Sequence, residues 1–195
     1  CFSFHPRKIV TTGEGGMITT NNAELARKIA VLRSHGGIRE GNRFRFVAAG
    51  FNYRMSDINA AIGLVQMAKL DQIVHARRHL AHRYRELLGS IPALTLPSDD
   101  ELSCQTYQSF VVLLQEGIVR DEIIRKMRES GVETTIGTYA LHTEQYFERS
   151  YGYKPGNFPG SYECATRSLS LPLYPHMNEK EMVQVVSSLR KALEA

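Results

Sequence analysis

Apolar residues recur at helical spacing in five segments of the chain, and this pattern predicts five main helices. Asn22, Ser56 and Asn178 precede three of these segments, and side-chain oxygens of this kind cap helix N-termini. The apolar faces predicted for the five helices are Leu25, Ile29 and Leu32; Ile58, Ala61, Ile62 and Val65; Ile73, Leu80, Tyr84 and Leu88; Val119, Ile123, Ile124 and Met127; and Met182, Val185, Val186, Leu189 and Leu193. We expect each helix to pack through its apolar face.

Shorter apolar segments between the helices predict strands and a domain boundary. The predicted strands are Phe2 to Phe4, Met17 to Thr20, Tyr107 to Leu114, Val132 to Ile136 and Leu169 to Leu171, with a short helix expected to run through Ala165. The segment from Ser34 to Gly50 is polar and rich in glycine, so it is predicted to be a loop. The helix from Asp71 to Leu88 ends before Pro92 and a turn at Pro97 to Asp100. We place the boundary near Leu70, which gives domains of residues 1–70 and 71–195, the second a small α/β layer domain.

Composition excludes several classes of protein. The chain has 195 residues, of which 43% are hydrophobic and 23% charged, as in ordinary globular proteins. A net charge of +4 suits anionic small molecules as well as a polynucleotide. The three cysteines are widely spaced and show no metal-binding pattern, so we expect no metal site and a reducing, cytoplasmic location. No apolar run approaches the roughly 18 residues that a membrane-spanning helix needs, so we expect that the chain does not span or bind a membrane.

Lys8 is the candidate catalytic residue. A lysine becomes a nucleophile towards carbonyl carbon when desolvation or neighbouring positive charge favours its neutral amine. The neighbours that could do this are apolar (Phe2, Phe4, Ile9 and Val10) or cationic (His5 and Arg7). Most lysines are nevertheless solvated surface residues, and the chemistry of this segment alone favours that alternative.

Two sequence blocks resemble one family of enzymes. Ser3-x-His5-x-x-Lys8, followed by Thr-Thr-Gly-Glu-Gly-Gly, is similar to the lysine segment of the DegT/DnrJ/StrS family of sugar aminotransferases, which use pyridoxal 5'-phosphate. The run from Gly50 to Gly63, with Asn52, Tyr53 and Arg54, resembles the family's Gly-Tyr-Asn-Tyr-Arg-Met segment and the helix after it. Two blocks in the right order are more specific than either alone.

The resemblance implies a fold and a partial chain. It implies the C-terminal part of a fold-type-I transferase, an α/β protein, in which residues 1–70 end the large cofactor-binding domain and residues 71–195 form the linking helix and the small domain. The chain begins at Cys1 within a predicted strand, without an initiator methionine. Since the family would place roughly half of its length before this point, we expect a fragment.

The resemblance also implies roles for single residues. Lys8 would form a Schiff base with pyridoxal phosphate and then carry protons. Ser3 would contact the cofactor phosphate, although a strand serine bonded to nearby backbone is the alternative. Asn52 would reach across a homodimer interface to the phosphate of the cofactor bound by the partner subunit, so that the active sites are shared. The alternative is an asparagine that only forms a turn before the helix.

Substrate contacts are less specific. Tyr53 and Arg54 could meet a carboxylate or pyrophosphate, although Arg54 could equally pair with Asp57. His142 falls where the family carries a histidine near the substrate, but the surrounding segment lacks the family's two prolines. On the linking helix, His75, His79 and His82 are expected to form a solvated face.

The function implied by the resemblance is amination of a nucleotide-linked keto sugar, with glutamate as amino donor. A family dehydratase would carry histidine in place of Lys8. The alternatives are a truncated, non-catalytic fragment or interaction module, which would retain no cofactor, and an RNA-binding domain. The last rests on a basic and aromatic stretch, Arg39, Arg43, Phe44, Arg45 and Phe46, which would equally suit a nucleotide-diphosphate sugar or a solvated loop. We expect no nucleic-acid partner.

Overall fold

A computed structural model describes residues 1–99 and 103–194 of the chain. The chain divides into two compact units, Cys1–Asp71 and Gln72–Ala195. Asp100, which closes the turn predicted after the long helix, lies outside the described residues.

The first unit contains two pairs of short antiparallel strands and two helices. In chain order they are β1 (Phe2–Ser3), β2 (Gly16–Met17), α1 (Ala23–Leu32), β3 (Gly37–Glu40), β4 (Arg43–Phe46) and α2 (Asp57–Ala68). The predicted caps are confirmed: the Asn22 side chain accepts hydrogen bonds from the amides of Glu24 and Leu25, and Ser56 accepts from that of Asn59. Both helices therefore begin where the sequence predicts.

The prediction of a loop from Ser34 to Gly50 is wrong, because β3 and β4 form a hairpin in this segment. Gly37 pairs with Phe46, and Glu40 pairs with Arg43. A two-residue connection, Gly41 and Asn42, joins the strands, and Gly41 takes a φ of 57°. This backbone conformation is costly for residues with a side chain and matches the twist of a two-residue hairpin.

The helices of the first unit expose their apolar faces. No residue of α1 or α2 is buried, and Ile58 and Val65 are 76% and 56% exposed. The described residues do not bury these faces, so packing of α1 and α2 through them stays a prediction. Amphipathic spacing identifies which side of a helix is apolar, but not whether anything covers it.

The second unit is built on a four-stranded antiparallel sheet. Its elements are α3 (Leu70–Leu88), β5 (Leu94–Thr95), β6 (Phe110–Leu114), α4 (Arg120–Glu129), β7 (Thr135–Ile136), α5 (Gln145–Tyr151), α6 (Pro159–Arg167), β8 (Ser168–Leu171) and α7 (Glu179–Glu194). The strand order is β5-β6-β8-β7. The predicted α/β fold class is confirmed. The sequence did not predict β5 and α5, whereas α3, α4, α7 and β8 occur close to their predicted positions.

The core of the second unit lies where α3, α4 and α7 supply their apolar residues. Met182, Val185, Val186 and Leu189 are buried on α7 as predicted. On α4, Ile123 and Met127 are buried, but Val119 is 58% exposed because it precedes the helix as its N-cap.

Strand β6 begins at Phe110 instead of the predicted Tyr107. Tyr107 takes a φ of 49°, in the left-handed region, which breaks the extended conformation of a strand. Arg77 also donates from Nη1 to the carbonyl oxygens of Tyr107 and Gln108, at 3.1 and 3.0 Å.

Candidate active site

Lys8 lies at the end of a tight turn that follows β1. The amide of Lys8 donates to the carbonyl oxygen of His5 at 2.9 Å, and the amide of Arg7 donates to Nδ1 of His5 at 3.2 Å. Pro6 occupies the second position of this turn, where its fixed φ is favourable. Lys8 is exposed in this structure, and its expected apolar and cationic neighbours do not enclose it.

Backbone hydrogen bonds close the lysine loop at Phe4. The carbonyl oxygen of Phe4 accepts from the amide of Thr12 at 3.0 Å and from the hydroxyl of Thr11 at 2.9 Å. The amide of Phe4 donates to the carbonyl oxygen of Gly15 at 2.9 Å. Residues 5 to 14 therefore form a loop whose two ends are joined beside Ser3.

Asn59 of α2 holds the far end of this loop. Its Nδ2 donates to the carbonyl oxygens of Thr12 and Glu14, at 2.7 and 3.0 Å. The side chain of Thr12 is buried against α2, where a Cβ on Gly63 would lie 2.9 Å from Cγ2 of Thr12. Thr12, Asn59 and Gly63 thus link the two sequence blocks, and none of these three roles was predicted from the sequence.

A signal for Asn59 was present but ambiguous. Asparagine three residues after the Ser56 cap suggests a local capping interaction, and the amide of Asn59 does donate to Oγ of Ser56. The side chain of Asn59 makes local and distant bonds: its Oδ1 accepts from Oγ of Ser56, and its Nδ2 donates to residues 45 and 47 positions earlier. Helical periodicity contains no information about such distant partners.

Ser3 is at the end of β1, five residues before Lys8. Its Oγ accepts a hydrogen bond of 3.4 Å from the amide of His5, which leaves the hydroxyl hydrogen free to donate elsewhere. The local backbone contact expected of a strand serine is therefore present, and it is compatible with a phosphate contact as well.

The segment with Asn52, Tyr53 and Arg54 lies beside the residues that directly follow α1. Asn52 pairs with Ser34 in a single antiparallel bridge, and the amide of Tyr53 donates to the carbonyl oxygen of Arg33 at 2.9 Å. The Tyr53 ring is 71% exposed and stacks on Phe51, with centroids 4.9 Å apart. Backbone contacts hold Asn52 and Tyr53, and the side chains of all three residues lie on the surface.

The glycine turn, Gly13 to Gly16, and the segment from Tyr53 to Ser56 line one cleft of about 430 Å³ within the first unit. Its lining is formed by Glu14, Gly15, Gly16, Tyr53, Arg54, Met55, Ser56 and Asn59. Within residues 1–99 and 103–194, Arg54 forms no ion pair, so the alternative pairing with Asp57 is not observed. A free guanidinium beside backbone amides suits an anionic ligand.

The histidine candidates lie in the second unit. His142 is 6% exposed, its Nε2 is 3.3 Å from the carbonyl oxygen of Pro155, and its ring meets Phe158 edge to face. The His142 ring is thus packed against the residues around it. A substrate contact by His142 remains a prediction. His82 contacts Glu86 at 3.4 Å, and no group of three metal-ligating side chains occurs in the described part of the chain.

The side chains of the first unit fit a cofactor with a phosphate and a reactive carbonyl. Ser3 retains a hydroxyl hydrogen, Asn52 presents a neutral amide donor, and Lys8 presents an exposed amine. Hydroxyl and amide donors suit phosphate oxygens, and an amine suits the carbonyl carbon. The donor set therefore matches pyridoxal phosphate.

Comparisons with known proteins agree with this donor set. The model of the DegT/DnrJ/EryC1/StrS aminotransferase family, whose members depend on pyridoxal phosphate, matches residues 1–190. The spore coat polysaccharide biosynthesis protein SpsC of Bacillus subtilis is 33% identical over 202 residues, covering 97% of this chain and 52% of SpsC. The chain thus spans about half the length of the curated relatives it matches.

Solved structures support the same fold. The aminotransferase TlmJ from Streptoalloteichus hindustanus has a TM-score of 0.89 and 30% identity, and the match covers 98% of this chain and 51% of TlmJ. The pyridoxal-phosphate form of the putative sugar aminotransferase Spr1654 from Streptococcus pneumoniae has a TM-score of 0.88, with 99% and 51% covered. At 21% identity, the second match shows similarity of fold alone. No helix in the described residues is long and apolar enough to cross a membrane.

Proposed function

Because the chain belongs to the DegT/DnrJ/EryC1/StrS aminotransferase family, we propose that the full-length protein converts a nucleotide-linked keto sugar into an amino sugar, with glutamate as amino donor. The observation that supports this most directly is the loop that holds Lys8, closed at Phe4 and tied to α2 through Asn59. Residues 1–70 are proposed to end the cofactor-binding domain, and residues 71–195 to form the linking helix and the small domain.

Lys8 has two proposed roles in this reaction. When bound, pyridoxal phosphate draws electrons away from the substrate carbon that exchanges its amino group. The neutral amine of Lys8 attaches the cofactor through its carbonyl carbon. Once the amino donor has displaced it, Nζ of Lys8 would carry a proton from the donor carbon to the cofactor carbon to which the lysine had been attached. In the second half of the reaction it would carry a proton from that cofactor carbon to the sugar carbon that receives the amino group. Lys8 suits this task because its turn fixes the backbone, while the exposed side chain is free to move.

The remaining candidates have binding roles. Ser3 donates its hydroxyl to the cofactor phosphate, and Asn52 donates its amide to the phosphate held by a partner subunit, so that each site of a homodimer is shared. Tyr53 and Arg54 face the anionic part of the substrate from the cleft beside the glycine turn. His142 is the proposed contact of the second unit with the sugar. The exposed, free cysteines suit a reducing compartment, and we place the enzyme in the cytoplasm.

Transfer of labelled nitrogen tests the proposal. The full-length protein is incubated with its cofactor, ¹⁵N-glutamate and a set of nucleotide-linked keto sugars, and the sugars are analysed by mass spectrometry. We expect ¹⁵N in one sugar product, and a loss of at least about 10³-fold in rate for Lys8→Ala, as for removal of other nucleophiles. Lys28→Ala, on α1, should retain the rate. Transfer by Lys8→Ala at the original rate would contradict the proposal.

A non-catalytic role is the alternative for residues 1–195 alone. Every described residue of α1 and α2 is at least partly exposed, and the buried hydrophobic side chains of the structure all lie between Leu80 and Ala192. A cofactor site in the first unit would therefore lack an apolar core beneath it. Under this alternative, the purified chain of 195 residues retains no pyridoxal phosphate.

A further inference from the structure

The connection between β7 and β8 is far longer than its two strands require. These strands are antiparallel neighbours, and a hairpin of two residues can join such a pair. The connection instead runs from Gly137 to Arg167 and contains α5, α6 and two short 3₁₀-helices, Leu141–Thr143 and Pro155–Asn157. Connecting segments carry binding residues more often than the scaffold that holds them. We name this segment the β7–β8 connection.

His142 is the buried titratable residue of this connection. Its Nε2 lies 3.3 Å from the carbonyl oxygen of Pro155, which belongs to the second 3₁₀-helix. A carbonyl oxygen only accepts hydrogen bonds, so Nε2 carries the hydrogen in this contact. In a neutral imidazole the other ring nitrogen, Nδ1, is then an acceptor. The contact with Pro155 thus selects one tautomer of His142.

The acceptor nitrogen of His142 is open to the surface, although the ring is buried. Within the described part of the chain, the side-chain nitrogen and oxygen atoms that are buried without a hydrogen-bond partner are Nε of Arg77, Oγ1 of Thr134 and Oγ of Ser168. Nδ1 of His142 has no partner among the described residues and does not belong to this buried set. A ligand can therefore reach Nδ1.

Phe158 fixes the orientation of the His142 ring. The two rings meet edge to face with centroids 5.0 Å apart, and Phe158 meets Tyr153 in the same way at 5.4 Å. Tyr153 in turn stacks on Tyr151 at 5.6 Å. The segment around His142 lacks the two prolines noted above, so no proline ring fixes its backbone. In this chain, contacts from Pro155 and Phe158 take over that task.

We propose that Pro155 and Phe158 are positioning residues for His142, and that they present Nδ1 as a fixed hydrogen-bond acceptor to a hydroxyl group of the sugar. This inference rests on the proposed function, in which His142 contacts the sugar. An acceptor nitrogen binds a hydroxyl and rejects a keto oxygen, which has no hydrogen to donate. A ring that is already held in place loses little conformational entropy when the sugar binds.

Ring ¹⁵N chemical shifts test the tautomer directly. The full-length protein with its cofactor is labelled with ¹⁵N-histidine, and the signal of His142 is assigned by its absence in His142→Asn. We expect a hydrogen on Nε2 and none on Nδ1. Phe158→Leu should show both tautomers, because the ring is no longer held against Pro155. A wild-type ring that carries its hydrogen on Nδ1 would overturn the inference.

Steady-state kinetics with the keto sugar that accepts labelled nitrogen test the role in binding. An asparagine side chain can place its amide oxygen near the position of Nδ1, whereas glutamine reaches the position of Nε2. His142→Gln should therefore raise KM about fivefold at unchanged kcat, as expected for loss of one neutral hydrogen bond, and His142→Asn should restore part of this loss. Phe158→Leu should also raise KM. Phe147→Leu, in the same connection but without a ring contact to His142, is the matched control.

Two kinetic results would also overturn the inference: equal KM values for the two His142 variants, or a Phe147→Leu variant as impaired as Phe158→Leu. Borohydride reduction separates this inference from the proposed function. If the wild-type protein carries a reduced cofactor on Lys8 and transfers nitrogen, but either kinetic result is obtained, only the roles of Pro155, Phe158 and Nδ1 of His142 are wrong. If it carries no adduct on Lys8, the proposed function itself is wrong.

Discussion

Single residues show how far a sequence motif identifies a site. The motif around Lys8 predicts which lysine meets the cofactor, and the structure adds that its turn is closed by the carbonyl oxygen of His5. The side chains that hold the loop were not predictable. Thr12 is buried and Asn59 crosses to two carbonyl oxygens, and both depend on partners far away in the sequence.

We expect Asn59→Ala to loosen the lysine loop. Removing Nδ2 leaves the carbonyl oxygen of Thr12 without a hydrogen-bond donor among the described residues, whereas that of Glu14 keeps the hydroxyl of Thr12. The loss should cost about 1–3 kcal/mol of unfolding free energy. Asn59→Asp should cost more at neutral pH, because a carboxylate cannot donate and would face two carbonyl oxygens. The measurements are urea unfolding and amide hydrogen exchange of residues 8–16 in the full-length protein. Asn21→Ala, outside the loop, is the control, and exchange in Asn59→Ala equal to that of the control would refute this role.

At the scale of elements, hydrophobic periodicity predicts that a helix or strand exists better than it predicts what surrounds that element. The sequence places α4 and α7 correctly and, apart from Val119, also their inward residues, because each of these helices packs within one unit. The hairpin of β3 and β4 was missed although β4 alternates polar and apolar residues as Arg-Phe-Arg-Phe, because this run has only four residues and β3, Gly-Ile-Arg-Glu, shows no such alternation. The Gly41-Asn42 pair was the available signal, since glycine followed by asparagine is typical of two-residue hairpin connections.

The junction between α3 and α7 predicts a dependence of stability on pH. Arg83 donates to Glu179 on α7 and to Glu86 on α3, and these hydrogen bonds hold the pKa of both carboxyl groups below the usual 4.5. A lowered pKa in the folded state stabilises the protein above the unfolded-state pKa, and this contribution disappears as the pH falls through the folded-state value.

We therefore expect Arg83→Gln to lower the melting temperature at pH 7, with a difference from the wild type that shrinks below about pH 4.5. The effect should be small, because the side chains are largely exposed. Thermal unfolding from pH 7 to pH 3 is the measurement, with Arg149→Gln on α5 as the control. A difference that stays constant over this range would contradict the assignment.

At the scale of the whole molecule, the two units differ in what they bury. The described residues of the second unit contain the entire set of buried hydrophobic side chains, whereas α1 and α2 expose theirs. The family assignment and the α/β class follow from the sequence because two motifs and the helical patterns are local properties. What covers the apolar faces of α1 and α2 is a property of tertiary contacts, and spacing along one chain does not contain it.

Chemical trapping of the cofactor on the full-length protein tests the central claim most directly. The protein is incubated with pyridoxal phosphate, reduced with borohydride, digested and analysed by peptide mass spectrometry. We expect a reduced pyridoxyl group on Lys8, with Lys28 and Lys69 unmodified. A protein that carries no adduct on Lys8, or carries it on another lysine, would contradict the role of Lys8 as the Schiff-base residue.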